Sequence, residues 1–123
     1  GIERFKRPVR GLQGFRGPVE TGSTGTAFRP YDLTVFGSST QASYTIAAPE
    51  IGQFKSLYCT NAAASSQAGH QDLQPASTAV FFRTTAGGDS TQIRFLSSGQ
   101  SVLLYGQTVT QYVVMANNGA TFS

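Results

Sequence analysis

The side chains of this chain best suited to catalysis or metal binding are those of its only histidine, His70, and its only cysteine, Cys59. A thiol beside an imidazole can act as a nucleophile, but Cys59 lies in an apolar, strand-like stretch, where cysteine usually packs as a small hydrophobic residue. A zinc site needs several cysteine or histidine ligands, and the six carboxylates are scattered singly, without an evident acid–base pair. We therefore expect no catalytic residue, no metal and no cofactor, and we interpret the chain as a binding protein rather than an enzyme.

The one cluster with chemical character is the N-terminal segment, which mixes cationic and apolar side chains. Its apolar residues recur every three or four positions, as in an amphipathic helix. Prolines and glycines are interspersed among them, however, and each is costly in a helix interior. We therefore predict an extended basic arm over residues 1–28, which becomes ordered only against a partner. The partner-binding residues predicted in this arm are Arg4, Phe5, Lys6, Arg7, Val9, Arg10, Leu12, Phe15 and Arg16.

The net charge of +3 lies entirely in residues 1–20, because the charges of residues 21–123 balance. The arginines and aromatic rings of the arm suit nucleic acid, through phosphate contacts and stacking. They equally suit an acidic protein surface, through forked ion pairs and buried apolar side chains, and simple solvation of the segment is the third interpretation. We favour a protein partner over nucleic acid, because nucleic-acid arms usually carry a denser run of charge. No apolar run is long enough to cross a bilayer, so we expect no membrane partner.

The remaining residues, 29–123, are predicted to form a single β domain. Their apolar side chains recur with a period of two between clusters of turn-forming residues, which is typical of short strands. Residues 61–77 are small and polar, and we interpret them as a loop with at most one helical turn. This spacing favours an all-β fold, a small antiparallel β-sandwich or barrel. The seven predicted strands span residues 31–36, 43–47, 54–60, 79–84, 92–96, 101–105 and 111–116.

Several of these strands carry bulky apolar residues on both faces. A half-buried antiparallel strand normally alternates apolar and polar side chains, and a two-layer sandwich covers only one face of each sheet. Such strands are either central ones under long loops, or partly exposed, or buried on the second face by another subunit. We favour the subunit interface and therefore expect self-association. The predicted interface residues are Phe81, Leu103, Tyr105, Tyr112 and Val114.

A series of short motifs connects this pattern to a known class of proteins. In order they are Tyr44-Thr-Ile46, Pro49, Gly52-Gln-Phe-Lys55, Gly99-Gln-Ser-Val-Leu-Leu-Tyr105 and Tyr112-Val-Val114. The series resembles β domains of tailed-phage virion proteins, of the capsid decoration and fibre types. It departs in the last hairpin, where many relatives carry Asp-Gly and Trp. The resemblance implies a trimeric β assembly on a virion, without catalytic residues to carry over.

We therefore expect a capsid decoration (cement) protein, located on the outer surface of a phage head. It would bind the major capsid protein, or another virion protein, and stabilise the shell through its arm and its oligomeric body. The alternative is a tail-fibre or head-fibre module that recognises a host-surface glycan or protein through loops such as residues 61–77. A third interpretation is a shell protein whose arm faces the packaged genome, which a steep salt dependence would favour.

Overall fold

The computed structural model describes residues 18–62, 70–84 and 88–123, and every regular element in these ranges is a β-strand. The strands are β1 (Glu20–Thr21), β2 (Asp32–Ser38), β3 (Ala42–Ile46), β4 (Phe54–Ala62), β5 (Gln71–Pro75), β6 (Phe81–Arg83), β7 (Asp89–Ser90), β8 (Ile93–Phe95), β9 (Ser101–Thr108), β10 (Gln111–Asn118) and β11 (Thr121–Phe122). The predicted all-β fold is therefore confirmed.

Two sheets face each other, as the sandwich prediction requires. The large sheet has the strand order β1-β2-β4-β9-β10-β6-β7, and the small sheet has the order β11-β8-β5-β3. Phe36 of the large sheet packs against Tyr44 and Phe95 of the small sheet, with ring centroids 5.1 and 5.0 Å apart. The core thus lies between the sheets, and inward side chains alternate with outward ones along strands such as β2 and β9.

The strand pairing is mixed, which differs from the antiparallel arrangement expected from the sequence. Four ladders are parallel: β1 with β2, β2 with β4, β3 with β5, and β6 with β10. A parallel pair needs a crossover between its strands, and β3 in the opposite sheet provides the crossover between β2 and β4. Hydrophobic alternation tells which residues form a strand but not which strand is its neighbour.

The end of the predicted arm belongs to the β body. Residues of β1 pair with β2, where Glu20 lies opposite Thr34. Phe28 is only 1% exposed, and its backbone amide donates to the carbonyl of Thr45 in β3, at 2.8 Å. The structure therefore joins residues 20–28, the end of the predicted arm, to the β body. The predicted contact residues of the arm, from Arg4 to Arg16, lie outside the described residues.

The predicted loop over residues 61–77 was wrong in its second half, which forms β5 in the small sheet. Gln71 is fully buried there, and its amide group accepts from the hydroxyl of Tyr44 at 2.8 Å and donates to the carbonyl of Thr40 at 2.8 Å. These bonds satisfy a polar side chain inside the core. Residues 63–69 of the loop lie outside the described residues.

Candidate interaction surface

The outward side of the large sheet presents apolar side chains to solvent. Phe54 and Tyr58 of β4 are 44% and 43% exposed, large values for aromatic residues in the middle of a sheet. The ring of Phe54 lies against that of Tyr105 in β9, with centroids 5.0 Å apart. We call this surface the apolar face. It consists of Leu33, Val35, Phe54, Tyr58, Leu103, Tyr105 and Val113.

The strand register makes this surface continuous across four strands. Tyr105 lies opposite Phe54 on one side and Val113 on the other. Leu33 of β2 and Leu103 of β9 both lie opposite Ser56 of β4. Facing side chains on adjacent strands are close enough to pack against each other. The result is a contiguous apolar patch of the kind that marks an interaction site when it lies on a soluble protein.

The apolar face carries no charged side chain. In β2, β4, β9 and β10 the only charged residues are Asp32 and Lys55, and both are buried on the inward side. The nearest charges on the outward side belong to Arg83 and Asp89. Arg83 of β6 lies opposite Val113, at the margin of the apolar face, and pairs with Asp89 of β7 at 2.9 Å. The polar groups within the patch are hydroxyls and amides. Such a surface can bind through apolar contact and neutral hydrogen bonds, but it offers nothing to attract an oppositely charged partner.

A β-bulge in β10 shapes one margin of this surface. The pairing with β9 shifts between Val114 and Ala116, which leaves Met115 as an extra residue, 53% exposed. Next to it lies a shallow recess of about 170 Å³, lined by Ser56, Ser101, Val102, Leu103, Ala116, Asn117 and Asn118. The face is therefore not flat, and the recess can accept a protruding side chain.

The structure divides the predicted interface residues into two groups. Phe81, Leu103 and Tyr105 are partly exposed on the outward side of the large sheet. Tyr112 and Val114 are 0% and 6% exposed and face the core, where the hydroxyl of Tyr112 donates to the carbonyl of Ala47 at 2.7 Å. Including these two was wrong, because strand positions alternate between faces and an apolar run does not reveal which positions point outward.

Sequence reasoning missed several members of the apolar face. Leu33, Val35, Phe54, Tyr58 and Val113 were all in predicted strands but were not selected. The sequence did contain a signal for Val113. It follows Tyr112 directly in an uninterrupted apolar run, and successive strand residues point to opposite faces, so one of the two had to point outward. For Phe54 the only sequence signal was the period-two spacing of its strand. A core residue has the same spacing, so the sequence did not show that Phe54 is exposed.

Cys59 and His70 have separate structural environments. Cys59 is fully buried, as predicted, and burial raises the pKa of its thiol, which donates to the carbonyl of Asn61 at 3.6 Å. The Nδ1 atom of His70 lies 3.1 Å from the buried carboxylate of Asp72, in ion-pair range but without hydrogen-bond alignment. Arg94 donates to both oxygens of that carboxylate, at 2.8 and 3.2 Å. These contacts hold β5 to β8.

A second buried cluster joins β1 to the large sheet. Lys55 is 0% exposed, and its ammonium group donates to Thr34 Oγ1 and to the carbonyl of Tyr31, the latter at 3.2 Å. Its Nζ atom lies 3.6 Å from Glu20 Oε1, which also accepts from the Thr34 hydroxyl at 2.6 Å. Burial lowers the pKa of Lys55 to about 8, and the Glu20 carboxylate opposes that shift. Because the amine is enclosed, we interpret the cluster as structural.

No protein-family model matches the chain, and no curated protein is detectably similar to it in sequence. Among the described residues, no group of three or more His, Cys, Asp or Glu side chains is placed to hold a metal ion. The part of the chain that the structure describes also has no helix long and apolar enough to cross a membrane. The apolar face is the most distinctive surface feature of the described body.

Proposed function

We propose that this protein is a non-enzymatic structural component of a phage virion, a capsid decoration protein on the outer surface of the head. The observation that carries the proposal is the apolar face, a contiguous, charge-free surface on the large sheet. A stable soluble body rarely exposes such a patch unless it binds another protein. This supports an assembly protein, and the resemblance of residues 44–116 to phage virion β domains supports the location.

The charge distribution favours two contact regions with different chemistry. Residues 1–17 contain five cationic residues and one acidic residue, Glu3, whereas residues 18–123 contain four cationic and five acidic residues. The N-terminal segment is thus suited to acidic grooves on the major capsid protein, and the body, with a net charge of −1, is suited to contacts among copies. Nucleic acid stays the less favoured partner, and no membrane contact is proposed.

The N-terminal segment must bury enough apolar surface on the shell to offset the entropy lost when it becomes ordered. Ordering it costs about 1–2 kcal/mol of backbone entropy per residue. Burying a Phe, Val or Leu side chain fully returns about 1.5–3 kcal/mol. Phe5, Val9, Leu12 and Phe15 must therefore bury well, with the arginines adding ion pairs. Bound across neighbouring capsid subunits, the segment would add contact area where internal genome pressure tends to separate them.

A pelleting assay with purified virus heads that lack this protein tests the proposal. We expect the full chain to sediment with the heads and to raise the temperature at which they rupture. A chain without residues 1–17 should keep the far-UV circular dichroism of the body, since it retains every strand from β1 onward, but should stay in the supernatant. Sedimentation of the shortened chain with the heads would contradict the role of the segment.

The same assay separates the fibre alternative. A receptor-binding module should bind host cells and leave the heads unoccupied. The structure weakens the loop basis of that alternative, because residues 71–75 form a strand inside the small sheet. Binding to cells but not to heads would overturn the decoration proposal.

A further inference from the structure

The apolar face must be covered by something in the assembled protein, and its dimensions limit what that can be. Adjacent strands lie about 4.8 Å apart and rise about 3.4 Å per residue. The outward side of the four strands, over about seven residues of each, therefore measures roughly 19 by 24 Å, or about 450 Å² on each copy, and includes neutral polar side chains around the apolar face. Two such faces in contact remove about 900 Å² before corrugation is counted, close to the ~1,000 Å² that specific interfaces exceed. Phe81 and Met115 at the margins extend this area.

The absence of charge distinguishes among possible occupants. A partner with a different sequence is usually matched by complementary charges, and the apolar face has none to match. A second copy is different, because a symmetry axis brings each residue near its own counterpart. Any charged side chain close to the axis would then be repelled by the same side chain of the other copy. A charge-free surface of aromatic and aliphatic side chains satisfies this constraint.

The edges of the large sheet point to contact through the face rather than through added strands. Both edge strands, β1 and β7, are only two residues long. Short edge strands limit edge-to-edge pairing between chains. Sheets pack naturally face to face, about 10 Å apart, when both faces are apolar.

We propose that the apolar face is the self-association interface of this protein, covered by the same face of a second copy around a two-fold axis, so that the copies form a dimer rather than the homotrimer implied by the resemblance to phage β domains. The inference rests on the proposed function, which it deepens by naming the surface through which the copies meet. The protruding rings of Phe54 and Tyr58 are the central contacts. The recess beside Leu103 and Ala116 receives side chains from the other copy.

The test is the mass of the full chain in solution, measured by size-exclusion chromatography with light scattering. We expect the wild-type chain to have twice its 13.0 kDa monomer mass. The double variant Phe54→Glu/Tyr58→Glu should elute at the monomer mass, because each copy would place two carboxylates in the contact. Both side chains are already more than two-fifths exposed, so their replacement should leave the circular dichroism spectrum and cooperative unfolding intact.

The matched control is Ile51→Glu/Val109→Glu. These residues are 65% and 62% exposed, and both lie in turns outside the strands, so the control adds the same charge and removes similar apolar area away from the face. We expect the control to keep the wild-type mass. A monomeric wild-type chain, or a face variant that keeps the oligomer mass, would overturn the inference.

Two further measurements separate this inference from the proposed function. The chain without residues 1–17 should remain oligomeric, and a monomeric result would assign self-association to that segment instead. Binding to heads is measured by pelleting, separately from the oligomer mass, so the two proposals can fail independently. If the wild-type chain is monomeric and the face variant no longer binds heads, the face contacts the shell, and the self-association proposal fails while the decoration proposal stands.

Discussion

Lys55 is a cation enclosed by the sandwich, and burial lowers its pKa from 10.5 to about 8. Between these two pH values the unfolded chain keeps a proton that the folded chain has released. The free energy of unfolding therefore rises with pH across this window, and the stabilisation is lost as the pH falls through 8. The gain is on the order of 1–3 kcal/mol over the full window. We predict that Lys55→Met abolishes this pH dependence.

Urea denaturation of both proteins at about pH 7.5 and about pH 9.5 measures the effect. The informative quantity is the difference between wild type and variant at each pH. Burial raises the pKa values of Cys59, Tyr44 and Tyr112, which lowers stability in alkali, but these contributions are common to both proteins and cancel. An unchanged difference at the two pH values would show that Lys55 does not titrate in this range.

Residue-scale prediction from the sequence succeeded where side-chain type decides burial. Cys59 was assigned to the core because it is small, apolar and within a strand pattern, and the structure confirms this. Lys55 could not be assigned in the same way, because lysine is almost never fully buried unless paired. Its partner Glu20 lies 35 positions earlier in a segment interpreted as arm, so nothing local signals the pair.

At the scale of elements, the side chain of Glu20 adds to the backbone pairing that holds β1 to the large sheet. Its Oε1 atom accepts from the backbone amide of Arg29 at 3.1 Å and from the Thr34 hydroxyl at 2.6 Å, and it faces Lys55. Glu20→Gln removes the charge and leaves Lys55 without its counterion, at a cost of about 1–3 kcal/mol. We predict that this variant opens β1 locally while the rest of the sandwich stays folded.

Amide hydrogen exchange checks this prediction. The amide of Gly22 donates to the carbonyl of Val35 at 2.7 Å, so it reports on the docking of β1. Its exchange should become about tenfold faster or more in Glu20→Gln, since ~1.4 kcal/mol corresponds to a factor of ten. The amides of β9 and β10 should keep wild-type rates. Glu50→Gln, at an exposed carboxylate outside the strands, is the control and should leave Gly22 unchanged.

The sequence predicted those strands in which apolar residues form a clear pattern, such as β2, β4, β9 and β10. The strand β5 was missed because its buried positions include Gln71 and Asp72, which a periodicity argument reads as loop. The structure stabilises them with specific partners, Tyr44 for the first and Arg94 for the second. Burial of polar residues depends on such distant partners, so local sequence could not reveal this strand.

At the scale of the whole molecule, the sequence was sufficient for the all-β class and for the idea that some strands are apolar on both sides. It was insufficient for the topology, because parallel partners such as β2 and β4 are related through a crossover in the other sheet. It also left undecided which side of β10 is outward. The apolar face emerges only once the register places Phe54, Tyr105 and Val113 in one row.

The two proposed contact regions should respond differently to salt, because only one of them is charged. Raising sodium chloride from about 0.1 M to about 1 M shortens the Debye length from ~10 Å to ~3 Å. We predict that binding to heads weakens over this range, since it uses the cationic residues of the N-terminal segment. Self-association should be unchanged, because the apolar face has no charge to screen. Light scattering and pelleting at the two salt concentrations measure both quantities on one sample. Dissociation of the oligomer by salt would mean that ion pairs, and not the apolar face, hold the copies together.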